Sequence, residues 1–145
     1  AKGIIDTYFA KYKRVKEFMD ELKDLASKQE YVETMHGRKV FLPNISHSNF
    51  QVRSAAERTA INAPIQGTAA DIIKIAMINI KEWLIRENIH NVFMIMQVHD
   101  ELVFEIEDSD IHRYGDKISD LMGSAEKLSV PLLVNTFSGS NWQET

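Results

Sequence analysis

Two apolar segments separated by only a few polar residues place the strongest constraint on this fold. Val92–Val98 is almost entirely apolar, Leu102–Ile106 mixes apolar and acidic residues, and Asp100 and Glu101 lie between them. Segments so close in sequence can pair with each other only as an antiparallel hairpin, because a parallel pair needs a crossover of a dozen residues or more. The nearly continuous apolar character of the first segment predicts a strand that is buried on both faces.

Helical periodicity is found well before this hairpin. Apolar residues recur at intervals of three and four over Ile4–Leu25, which predicts one amphipathic helix. Ser48 followed by Gln51 has the spacing of a capping box and predicts the start of a second helix. Pro64 suits the first turn of a third, separate helix that continues to about Glu87.

The remaining segments complete an alternating pattern of helices and strands. Tyr31–Met35 and Arg38–Leu42 flank Gly37 and predict a short hairpin, because glycine can take positive φ in the turn. Asp108–Asp110 supplies cap-type and acidic residues for a further helix, and Leu132–Phe137 predicts a last strand. Runs of helices and strands in this order predict an α+β fold.

The charge and composition of the chain limit its class. Its 145 residues have a net charge of −4, but residues 1–60 carry +3 and residues 61–145 carry −7. Such asymmetry can orient a protein on a polyanion or concentrate cations in an acidic site, although ordinary uneven surface charge is the simpler explanation. The absence of cysteine excludes a disulfide framework and a thiolate zinc site, and makes an intracellular protein the plainest expectation. No apolar run approaches the ~20 residues of a membrane span.

The predicted turn of the second hairpin is the first candidate for chemistry. Adjacent carboxylates such as Asp100 and Glu101 on a rigid hairpin can bind hard divalent cations such as Mg²⁺, although acidic residues are also common in turns without function. His99 beside them raises the alternative of zinc. Ligand spacing is missing, however, at the other histidines: His36, His47, His90 and His112.

A row of polar residues before and after Pro64 is the second candidate. Arg58, Asn62 and Gln66 follow one another at intervals of four, which places them roughly on one helix face. Guanidinium and amide groups suit base edges and sugars in the minor groove, and Arg53 could meet a phosphate. The alternative is a solvated polar face. The sequence has no P-loop motif near this row.

Three segments closely resemble the C-terminal polymerase region of the bacterial family A DNA polymerases: Gly37–Pro43, Ala55–Asp71 and Met96–Glu105. They occur in the family's order, and the resemblance extends over nearly the whole chain. It implies an α+β fold with an antiparallel, palm-type sheet whose catalytic hairpin is packed by helices. Residues 1–42, with a helix and a small hairpin, would belong to the fingers subdomain, and residues 43–145 would be the C-terminal part of the palm.

The resemblance also implies roles for individual residues. Asp100 would be one of two aspartates that hold catalytic Mg²⁺ ions, with Glu101 as a supporting catalytic carboxylate. His99 would lie near the primer terminus. DNA would also be contacted from the minor-groove side by Arg58, Asn62 and Gln66, the row described above.

The implied activity is template-directed nucleotidyl transfer to a primer 3′-hydroxyl, with primer-template DNA and deoxynucleoside triphosphates as partners in the cytoplasm and no membrane. The family's Asp-Tyr-Ser motif and its nucleotide-binding fingers helix are not found in this sequence. We therefore expect a C-terminal fragment, inactive alone, that supplies half of a two-metal site and needs the remainder of the polymerase chain. The alternative is a non-catalytic DNA-binding module with a polymerase-like fold; a small phosphohydrolase is disfavoured because the partner carboxylates are missing.

Overall fold

A computed structural model of the chain describes residues 2–144, without the side chains at positions 2 and 142. It confirms the predicted α+β class. The elements in chain order are α1 Lys2–Lys11, α2 Lys13–Gln29, β1 Tyr31–Glu33, β2 Lys39–Phe41, α3 Phe50–Arg86, β3 Val92–Val98, β4 Glu101–Ile106, a 3-10 turn Asp108–Asp110, α4 Ile111–Gly123 and a 3-10 turn Trp142–Glu144. The chain divides into two compact units, one ending at Thr68 and one starting at Ala69. No helix of the described residues is both long and apolar enough to cross a membrane.

The N-terminal helical segment is two helices, so the prediction of a single helix was wrong. Tyr12 has φ −112° and ψ 62°, which interrupts the helical backbone between α1 and α2. Ile4 and Ile5 of α1 are exposed, whereas Leu22 and Ala26 of α2 are buried. Apolar periodicity continues through the break, but within the described residues only α2 is held by packing against a core.

The predicted small hairpin is confirmed and forms part of the first unit. β1 and β2 pair antiparallel with Val32 opposite Val40, and Gly37 in the turn has φ 76°. Its inward side chains join helix residues in one buried core, which comprises Leu22, Ala26, Val32, Leu42, Ile45 and Ala60.

The long helix α3 runs without interruption through Pro64, so the prediction of two separate helices was wrong. An internal proline costs a helix about 3 kcal/mol or more. Ala60 belongs to the core of the first unit and Pro64 is buried, and this burial offsets the cost. The helix is capped by Asn49 rather than by the expected Ser48: its Oδ1 accepts hydrogen bonds from the backbone N–H groups of Gln51 and Val52 at 2.8 and 3.4 Å.

The second unit contains the predicted β3–β4 hairpin, which is confirmed. The strands pair from Val92 opposite Ile106 to Val98 opposite Glu101, with an irregularity at Ile95. One face of the hairpin packs on helices in a core that comprises Ile80, Trp83, Leu84, Val92, Tyr114 and Ile118. The expectation that β3 is buried on both faces was wrong.

The face of the β3–β4 hairpin that points away from the helical core is exposed, which is why β3 is not buried on both faces. Phe93 and Ile95 are each 56% exposed. Among residues 2–144 the sheet has only these two strands, and the helical core covers one side of it. An apolar sequence cannot by itself reveal which face has a partner.

The C-terminal segment also differs from expectation. The helix predicted after Asp108–Asp110 is present as α4 but ends at Gly123. Leu132–Phe137 forms no strand, and Leu133 and Phe137 are largely exposed. A segment with strand propensity becomes a strand only when its backbone groups pair with a neighbour, and these residues have no such pairing.

Candidate functional site

The turn of the second hairpin has an unusual backbone at its first residue. His99 and Asp100 form the two-residue connection between the paired residues Val98 and Glu101. His99 has φ 52°, a region that costs a non-glycine residue about 1 kcal/mol. The Gln97 side chain spans this corner, because its Nε2 donates a hydrogen bond to the carbonyl oxygen of His99 at 2.9 Å. The turn is therefore braced from within the hairpin.

Asp100 and Glu101 are both exposed at this end of the hairpin. Carboxylate oxygens are the donors that Mg²⁺ prefers, and Mg²⁺ commonly binds one or two protein carboxylates while waters and phosphate oxygens complete its octahedron. The donor set therefore fits such an ion. Within residues 2–144 no group of three or more histidine, aspartate or glutamate residues is placed to hold a metal. Further ligands would have to come from water, substrate or another segment.

The predicted polar row is also brought together, on α3 in the first unit. Arg58, Asn62 and Gln66 are exposed and line one shallow depression of about 380 Å³. Ala55 and Ala63 form part of its lining, so small side chains leave room between the polar groups. The depression presents one guanidinium and two amides to a ligand that approaches from outside.

The two arginines near this depression have different environments. Arg58 Nη1 donates to Ser54 Oγ at 3.1 Å, one helical turn earlier. Arg53 Nη1 donates to the His47 carbonyl oxygen at 2.9 Å, and its Nε lies 3.9 Å from Glu57 Oε1. Arg53 therefore ties the start of α3 to the preceding loop and does not line the depression.

Sequence reasoning missed two features of these sites. The bond from Gln97 to the turn depends on a side-chain direction that no local pattern shows. The depression is also lined by Thr59, Ala55 and Ala63. The sequence pattern indicates it only weakly, because small residues at helical spacing are common. By contrast, the sequence does favour close backbone packing at Gly67, and the structure places this glycine in the interior of α3 with Thr34 beside it.

The two candidate sites lie in different compact units: the polar row in the first and the acidic turn in the second. Each is well defined by its own element. The row is fixed by one helix and the turn by one hairpin.

Comparison with known proteins gives consistent matches over the whole chain. A sequence model described as DNA polymerase family A matches residues 1–144. DNA polymerase I of Pseudomonas aeruginosa is 46% identical over 144 residues, which cover 99% of this chain and 16% of that protein. DNA polymerase I of Streptococcus pneumoniae is 44% identical over 144 residues, again 99% of this chain and 16% of the relative. The chain thus spans about one sixth of the length of these relatives.

A solved structure also matches the fold. The POL domain of Pol1 from M. smegmatis, in complex with DNA primer-template and dNTP, is 41% identical to this chain. It superposes with a TM-score of 0.85 over 90% of this chain and 23% of that domain's chain. This chain therefore shares the fold of that part of the POL domain.

Proposed function

This chain belongs to DNA polymerase family A, and we propose that within a full-length enzyme it forms part of the site that extends a DNA primer on a template. The activity is assigned to the full-length enzyme because the chain spans only 16% of its relatives' length. The observation that carries the proposal is the placement of Asp100 and Glu101 at the turn of an antiparallel hairpin in a chain of this family.

The cofactor that we propose is Mg²⁺, held in part by Asp100. In nucleotidyl transfer, two such ions stabilise the attacking and the leaving oxygen of an in-line displacement. Asp100 would bind through its carboxylate, with Glu101 as the adjacent supporting carboxylate. The second aspartate would come from another segment of the enzyme, since these two neighbours are the only acids at the turn itself.

The hairpin would contribute rigidity to this site. The ladder from Val92 to Val98 fixes the position of the turn, and the bond from Gln97 to the His99 carbonyl restrains its corner. Carboxylates on a rigid element keep their geometry when substrate enters, which reduces reorganisation during the reaction. The exposed imidazole of His99 would then lie near the primer terminus.

The polar row would bind the DNA close to the growing end. Acceptors in the minor groove are nearly the same for all correct base pairs, so Arg58, Asn62 and Gln66 can test the shape of a pair without reading its sequence. The similar POL domain was solved with primer-template and dNTP, which supports the same classes of partner here. We place residues 1–42 in the fingers and residues 43–145 in the palm, and the reaction in the cytoplasm.

The test is a substitution of the same size that removes the carboxylate charge at the turn of the full-length enzyme. Asp100→Asn should slow single-turnover primer extension by about a thousandfold or more, because the amide is a poor ligand for Mg²⁺. Primer-template affinity, measured by fluorescence anisotropy, should change little. Asp108→Asn, an exposed acid in the turn that follows β4, is the matched control and should extend primers at the wild-type rate.

Three results would contradict the proposal. Extension by Asp100→Asn within about tenfold of wild type would exclude the carboxylate as a metal ligand. An equal loss in Asp108→Asn would show that the effect is one of overall charge. Wild-type enzyme that binds primer-template but incorporates no nucleotide at any Mg²⁺ concentration would favour a non-catalytic DNA-binding module instead.

A further inference from the structure

Pro64 interrupts the hydrogen-bond ladder of α3 in the middle of the polar row. Arg58 and Asn62 precede the proline and Gln66 follows it. Since proline has no N–H, the carbonyl oxygen of Ala60 loses its usual donor four residues on, and helices commonly bend at such a position. The hydrogen-bond ladder is therefore weakest at Pro64, and this is the point that determines the position of Gln66 relative to Arg58 and Asn62.

The strands of the β1–β2 hairpin pack against α3 before the proline. Val32 of β1 shares a buried core with Ala60. Val40 of β2, together with Ala56 and Ala63, packs against the same core. These contacts hold the first half of the helix.

The tip of the same hairpin binds α3 after the proline. The backbone N–H of Met35 donates to Thr68 Oγ1 at 2.9 Å, and Arg38 Nη2 donates to the Gly67 carbonyl oxygen at 2.9 Å. Thr68 Oγ1 in turn donates to the Pro64 carbonyl oxygen at 2.6 Å. One hydroxyl group thus connects the hairpin tip to the carbonyl oxygen of Pro64, the residue that breaks the ladder.

Close approach of the tip depends on Gly67. A Cβ atom at this position would lie 2.6 Å from Thr34 Cγ2 and 3.2 Å from Arg38 Nη2. Thr34 is buried, and its Oγ1 accepts a hydrogen bond from the backbone N–H of Arg38 at 3.2 Å. The tip is therefore an ordered structure that fits a glycine-sized space on the helix directly after Gln66.

We infer that the β1–β2 hairpin holds α3 on both sides of Pro64 and so keeps the helix straight there; we call this arrangement the splint. Thr68 and Arg38 are its positioning residues, and they keep Gln66 on the same helix face as Asn62 and Arg58. This inference rests on the proposed function of the polar row. The splint acts on the discrimination of the primer end, through Gln66, rather than on the chemical step at Asp100.

The test compares substitutions of Thr68 in the full-length enzyme. Thr68→Val keeps the shape but removes the hydroxyl, and Thr68→Ser keeps the hydroxyl. The readout is the ratio of kcat/KM for matched over mismatched primer ends. Thr68→Val should lower this ratio about fivefold, the equivalent of one hydrogen bond, and Thr68→Ser should stay within about twofold of wild type. Thr7→Val is the matched control, since Thr7 Oγ1 makes the same bond to a carbonyl four residues earlier but contacts no hairpin.

A second substitution separates positioning from a general structural effect. In a Gln66→Ala background, Thr68→Val should change the ratio no further, because its effect acts through the Gln66 side chain. If the effects of the two substitutions on this ratio are fully additive, the inference about the splint is wrong. A wild-type ratio in Thr68→Val alone would also overturn it. If Gln66→Ala itself leaves the ratio unchanged, the proposed role of the polar row fails instead, so the two failures are distinguishable.

Discussion

Replacement of Gly67 by alanine is a direct test of how closely the hairpin approaches α3. Alanine is the better helix former by about 1 kcal/mol, so helix propensity alone predicts a more stable protein. The structure predicts the opposite, because the new methyl group would lie 2.6 Å from Thr34 Cγ2. The two effects change the free energy of unfolding in opposite directions. The sign of the measured change therefore shows which effect is larger.

The expected change in the free energy of unfolding follows from the contacts that must shift. Carbon atoms in contact are about 3.5–4.0 Å apart, so the hairpin tip has to move by about 1 Å. Such a shift breaks the bonds from Met35 to Thr68 and from Arg38 to Gly67, both 2.9 Å long. Two lost hydrogen bonds cost about 2 kcal/mol, and the gain in helix propensity returns about 1 kcal/mol. We expect Gly67→Ala to destabilise the first unit by about 1 kcal/mol.

A second background isolates the cause. Thr34→Ser removes the methyl group that clashes but keeps the hydroxyl that bonds to Arg38. In that background only the 3.2 Å contact with Arg38 Nη2 remains, so Gly67→Ala should stabilise the first unit by up to about 1 kcal/mol, the propensity term. The coupling between the two substitutions is therefore up to about 2 kcal/mol.

The assay is urea unfolding of the chain, followed by amide NMR signals that report each compact unit. Val32 belongs to the core of the first unit and Ile118 to that of the second, so the second signal is an internal control. Stabilisation by Gly67→Ala in the wild-type background, or a coupling below about 0.5 kcal/mol, would refute the close approach.

Three further predictions concern other parts of the chain. Asn49→Ala should destabilise α3 by about 1 kcal/mol, as judged by urea unfolding, whereas Ser48→Ala should have almost no effect because Ser48 is not the cap. The hydrogen bond from the Lys16 ammonium lowers the pKa of Asp20 to about 2, so NMR titration of this carboxyl should show a midpoint near that value. The contribution of the ionised Asp20 to stability is present above about pH 4 and is lost as the pH falls toward 2. His99→Gly should relieve the positive φ and stabilise the second unit by up to about 1 kcal/mol, while primer extension by the full-length enzyme slows.

Much of the candidate site could be predicted because its signals are local. Asp100 and Glu101 lie between two apolar segments, and strands that close in sequence must form a hairpin whose turn is where the acids are. Arg58, Asn62 and Gln66 recur every four residues, which places them on one helix face whether or not the helix contains a proline. In both cases spacing along the chain determines proximity in space.

Errors arose where the outcome depended on residues distant in sequence. Pro64 was predicted to lie in the first turn of a separate helix, but burial of Ala60 and the hairpin beside it keep the helix continuous. Phe93 and Ile95 have the apolar character of a strand buried on both sides, yet within the described residues only one face of the hairpin is covered.

The sequence by itself determined most of the elements, the family and the residues placed at the acidic turn and along the polar row, because periodicity, turn chemistry and motifs are properties of neighbouring residues. Only the tertiary structure decided that α3 passes through Pro64 and that the hairpin tip binds at Gly67 and Thr68. The physical reason is that the free energy of a proline or a glycine within a helix depends on what packs against it, and that partner lies some thirty residues away in the chain.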